Sequence, residues 1–109
     1  MDRGEQVELF INGRRVGTIQ IESSNGAWSF GQFEPDDGFT TFAPIFGTWS
    51  LLINEDPDRR LDPATADELR KAEAEIDRLD CRLYSPRSDN WIRLRQVNID
   101  GRSVDLMTQ

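Results

Sequence analysis

The side chains able to do chemistry are few in kind. The chain has no histidine and a single cysteine, Cys81, against 20 Asp and Glu and 13 Lys and Arg. Without histidine there is no Ser-His-Asp or Cys-His nucleophile and no His-dependent metal site. Lys71 is the only lysine and follows no glycine-rich loop, so a phosphate-cradling GxxxxGK[ST] motif and a Ser-x-x-Lys dyad are both absent. Two chemistries survive. Paired carboxylates can exchange protons, but among so many acids no pair is singled out by spacing. Cys81 can in principle attack, yet it has no neighbouring base to form its thiolate and it begins an expected strand, the usual place of a buried structural thiol. The expectation is a protein with no catalytic residue, no cofactor and no metal, hence not an enzyme.

Two further spacings invite a binding reading. Asn54, Asp56 and Asp58 alternate like the opening of a calcium loop, D-x-[DN]-x-[DN]-G. Arg59 then stands where the loop needs glycine, Thr65 where it needs a bidentate acid, and Pro57 stiffens the middle, so the segment reads as a solvated loop. Asp67, Lys71 and Glu75 follow at intervals of four, with Arg78 three beyond Glu75. Such pairs support an exposed helix face by a few tenths of a kcal/mol each, roughly. Trp91, Arg93 and Arg95 share one side of a strand, an arrangement that can stack and grip nucleic acid. In a chain of net charge −7 their expected partners are the protein's own acids, and Arg14, Arg15 and Arg102 take the same reading.

Charge is unevenly spread. Residues 34–80 hold 13 acids and 5 bases, an excess of eight acids, whereas 81–109 hold 5 bases and 3 acids. Such a surface repels nucleic acid; it would attract a basic protein partner, and its simpler reading is a solvated face that keeps a small protein soluble. If a basic partner is bound, the candidate protein-binding residues are Asp56, Asp58, Asp67, Glu68 and Glu75.

The elements that position these groups follow from periodicity. Residues 5–11 and 15–22 alternate as half-buried strands around Asn12-Gly13, with Val7, Leu9 and Ile11 inward on the first, and Val16 with Ile19 or Ile21 on the second. Residues 91–99 and 102–107 form a second hairpin around Asp100-Gly101. A strand over 27–34 carries Trp28, Phe30 and Phe33, with a bulge at Gly31 expected to bring Phe33 onto the face of the other two. Then the period changes: Phe39, Phe42, Phe46, Trp49 and Ile53, widened by Ile45 and Leu52, step by three and four as one helical stripe. Pro44 fits its first turn if Thr41 is the N-cap, after a short irregular turn at 36–40. Asp62-Pro63 starts a second helix over 63–80 with Leu69, Ala72, Ile76 and Leu79 inward. A strand over 81–85 precedes the last hairpin.

The order β-β-β-α-α-β-β-β predicts one α+β domain over 1–109, a largely antiparallel sheet of about six strands with two helices packed on one face. Seven of the ten aromatic residues fall between Trp28 and Trp49 and are expected to be spent mostly on that helix–sheet interface. The pattern W-x-F-G-x-F-x-P followed by F-x-x-F-x-P-x-F resembles small bacterial proteins of unknown function over about a fifth of the chain. The likeness agrees with the fold and implies no activity.

The start MDRGEQ has no apolar segment behind it, and no run nears the ~20 apolar residues of a membrane span, so a cytoplasmic protein without membrane contact is expected. The leading functional expectation is a non-enzymatic soluble interaction protein, self-associating or binding a basic protein partner through its acidic surface as an inhibitor or immunity protein does. The alternative is a small-ligand-binding domain, or a weak carboxylate-dependent enzyme, with a pocket between helix and sheet.

Overall fold

Asn12 and Gly13 turn the chain with φ of 52° and 81°, which lets β1 (Gln6–Ile11) fold back on β2 (Arg14–Asn25) through a two-residue loop. The computed structural model describes residues 1–54 and 62–108. After β3 (Trp28–Pro35) come a 3₁₀ turn (Asp37–Thr41) and α1 (Ala43–Ile53). These are followed by α2 (Pro63–Asp77), β4 (Cys81–Ser85), β5 (Asn90–Arg93), β6 (Gln96–Asp100) and β7 (Ser103–Met107). All the strands pair antiparallel in one sheet of order β5-β4-β1-β2-β3-β7-β6, an α+β fold with the two helices on one face.

Among the described residues seven strands stand where about six are expected, because the run 91–99 is two strands. Its first part pairs with β4, and Leu94 still donates its N–H to Cys81 O at 2.9 Å. Arg95 donates the other way, to Met107 O at 2.7 Å, and β6 continues along β7. Residues 90–100 thus belong to both edges of the sheet, which curls until those edges are consecutive in the chain. Bulges supply the curvature: Val16 is an extra residue against β1 and Glu22 an extra residue against β3. The first bulge also puts Val16, Ile19 and Ile21 all inside.

The bulge expected at Gly31 is therefore on β2 instead, and β3 alternates without interruption. Ser29, Gly31 and Phe33 face the core, while Trp28 and Phe30 stack on the opposite, outer face with ring centroids 6.5 Å apart. Gly31 serves close approach: a Cβ there would lie 2.3 Å from Gln20 O on β2. The predicted Asp100-Gly101 turn is likewise displaced by one, since Asp100 pairs with Ser103 and the loop is Gly101-Arg102.

The helical stripe holds as read. Phe42, Phe46 and Leu52 are buried, Phe39, Ile45 and Trp49 pack against the core, and Phe39 meets Phe33 edge-on at 5.0 Å. The N-cap is Phe42, not Thr41, because the 3₁₀ turn, capped by Asp36 accepting from Gly38 N at 2.8 Å, runs directly into α1. Pro44 accordingly lies in the first turn, where its missing N–H has no partner to lose. The second helix ends at Asp77 rather than 80; Arg78 is its C-cap, and 78–80 lead into β4. No helix among the described residues is long and apolar enough to cross a membrane.

Candidate functional site

Helix α2 positions most of the candidate acids. Asp62 precedes Pro63 as N-cap and N1. Ala72 and Ile76 are buried, with Leu69 and Leu79 half-buried, and this orientation turns Asp67, Glu68 and Glu75 to solvent. Asp67 is neutralised locally by Arg70 at 2.8 Å and Lys71 at 3.9 Å, exposed pairs of small net worth. Glu68 and Glu75 lie two turns apart and, with Lys71 between them, border a groove of about 330 Å³ between α1 and α2, lined also by Pro44, Ile45 and Ala72. Leu51, 75% exposed, stands one turn beyond the groove's Thr48 on α1. Asp56 and Asp58 lie outside the described residues. Asn54 does not present itself to a cation: its amide donates to Ser50 O at 2.9 Å and to the Asp100 carboxylate, which also accepts from Ser50. Among the described residues no group of three or more Cys, Asp or Glu could hold a metal ion.

The two flanks of α2 differ. At 100° per residue, Glu73 and Asp77 point roughly 160° away from Glu68 and Glu75. They border a separate cleft of about 350 Å³ between α1, α2 and β6, shared with Trp49, Ile53, Ile76, Gln96 and Asn98. Here lies a concave space between helix and sheet, the setting that the alternative functional expectation requires.

Cys81 is buried at the start of β4, and desolvation, with the nearby Asp80 charge second, pushes its thiol up to about 12. Buried and protonated near neutral pH, it sits as the structural thiol expected at a strand start. The mouth beside it, about 420 Å³, sets Asp77 and Asp80 near Arg93 and Arg95. Arg93 and Arg95 form no ion pair with any described acid, contrary to expectation; they stand outward with Trp91, as their alternation requires. Arg15 does meet its own acids, Glu8 at 2.8 Å and Asp36, while among the described residues Arg14 reaches the Thr41 hydroxyl at 3.5 Å and no acid.

The outer sheet face carries a feature that sequence reasoning missed. Trp91 packs on Phe10 at 4.8 Å and on Tyr84 at 5.0 Å, and Phe10 and Trp91 border a mainly apolar cleft of about 450 Å³ with Gly13, Asp80 and Arg82. Tyr84 donates to Asp89 Oδ1 at 2.6 Å, a bond that holds its phenol protonated and raises its pKa. The signal was parity: Phe10 is out of phase with Leu9 and Ile11, and Tyr84 with Cys81 and Leu83. No protein-family model matches the chain, and no curated protein or solved structure does.

Proposed function

We propose that the chain is a non-enzymatic interaction protein that offers the acidic face of α2 to a basic protein partner in the cytoplasm, as an inhibitor or immunity protein would. The observation that carries this reading is the placement of Glu68 and Glu75, with Lys71 between them, on the border of a mainly apolar groove, with exposed Leu51 close by. A net charge of −7 draws a basic partner from a distance, and the groove supplies desolvated contact once it arrives. Capture from the source cell by the wild type and by E68K/E75K tests it. A basic partner lost from the double variant, and retained by D67K, supports the reading; an unchanged partner set overturns it.

Self-association is favoured by one separate observation, the 53% exposure of Trp91 beside the Phe10 and Arg82 cleft. Light scattering at two concentrations checks it: mass rising with concentration in the wild type but not in W91E supports it, and a monomer throughout removes it.

A further inference from the structure

Two surfaces of the molecule are left unfinished in complementary ways. Glu68 and Glu75 border the groove between α1 and α2, and among the described residues neither has a cationic partner; Lys71 between them turns to Asp67 at 3.9 Å. Arg93, at the end of β5, and Arg95 just beyond it meet no described acid. Arg93 also stands directly across from Arg82 on β4, a like-charge pairing that destabilises a sheet. Asp80 answers Arg82 at 3.2 Å and leaves Arg93 without a counter-charge. Each surface also holds apolar area: Leu51 near the groove and Trp91 beside the arginines are the two large apolar side chains left exposed among the described residues. The helices cover the inner face of the sheet and Trp91 stands on its outer face, so the two surfaces cannot meet within one molecule.

From this match we infer that the groove at Glu68 and Glu75 takes a second copy of this chain, which enters with Trp91 and sets Arg93 and Arg95 against the two glutamates. The inference rests on the proposed role of that groove as a site for basic protein, and names its occupant. Trp and Arg are the residue types that most often anchor protein contacts, and guanidinium–carboxylate bonds are charge-assisted. Residues 81–109 carry an excess of bases in a chain of net charge −7, so theirs is the side that another acidic copy approaches with least repulsion. Each copy gives one surface and receives on the other, which makes the contact heterologous.

Sedimentation velocity over a concentration series at low salt tests the inference. W91E breaks the entering surface and E68K/E75K breaks the groove, and each alone should associate at least about tenfold more weakly than wild type. E68K/E75K lowers the net negative charge, so a loss of association there cannot come from added repulsion. Mixed in equal amounts, the two variants should recover a dimer with an affinity within about fourfold of wild type, because one keeps its groove and the other its Trp91 surface. R93E/R95E, which leaves the ring in place, should fail alone and be rescued by E68K/E75K in the same way. All the substituted side chains are exposed, and circular dichroism of each variant checks that the fold is kept. A mixture that stays monomeric overturns the inference. Association of E68K/E75K alone at wild-type strength also overturns it, and leaves self-association through Trp91 standing. A wild type that is monomeric at every concentration overturns both, while capture of a basic partner through Glu68 and Glu75 would still uphold the groove as a site for a different protein.

Discussion

Phe30 and Phe33 are three residues apart on β3, and one stacks against Trp28 on the outer face while the other is sealed between sheet and helices. The same division runs through the whole sheet. Its inner face is almost wholly aliphatic, from Val7, Leu9 and Ile11 to Val104 and Leu106, whereas its outer face sets Phe10, Trp28, Phe30, Tyr84 and Trp91 among arginines and acids. Aromatic density thus has two meanings in one molecule. The rings that step helically through 39–49 close the core over Phe33, and the rings of opposite parity coat the sheet outside.

Truncating each member of the pair breaks or sharpens this contrast. Phe33→Ala should cost about 3–5 kcal/mol in denaturant unfolding, the loss typical of a buried phenylalanine. Phe30→Ala should cost about 1 kcal/mol, the worth of a half-buried aromatic pair. Equal losses would mean that the outer rings are a second core. Glycines offer the next contrast. Gly31→Ala pushes a methyl against Gln20 O and should cost about 1–3 kcal/mol, as overpacking does. Gly47→Ala meets nothing within 4 Å on the outer side of α1 and should stabilise by about 0.5–1 kcal/mol in the same assay. The smallest effect is on acid stability. Glu5 accepts from the Ser85 hydroxyl at 2.7 Å, and this bond holds its carboxyl below the ordinary range. Its contribution is therefore present above the unfolded carboxylate pKa and is lost as pH falls through the lower folded value. Ser85→Ala should flatten the stability–pH curve over that acid window and leave its shape above pH 6, roughly, unchanged; an unaltered acid limb would show that the bond carries no linkage.

Local chemistry was legible in the sequence wherever it is self-contained. Asn12-Gly13 named its turn, Asp62-Pro63 its helix start, and the step from Phe39 to Ile53 its buried stripe. What escaped depends on partners far along the chain. The bulge that decides which way Trp28 faces sits at Glu22 on the neighbouring strand, so β3 itself bears no mark of it. The division of 91–99 arises because Leu94 and Arg95 bond to opposite neighbours, a fact of sheet closure and not of local pattern. The candidate acids were chosen by charge alone. Charge could not tell Asp67, quenched by Arg70, from Glu68 and Glu75 beside the groove, and gave no hint that Glu73 and Asp77 face Trp49 across a cleft of their own.

The segment from Asn90 to Asp100 acts as a clasp. Its first half pairs with β4 and its second half with β7, so one short stretch of chain joins the two edges of the curled sheet directly. A single cut between Leu94 and Arg95 would spare each hairpin and remove the direct covalent link between the two edges.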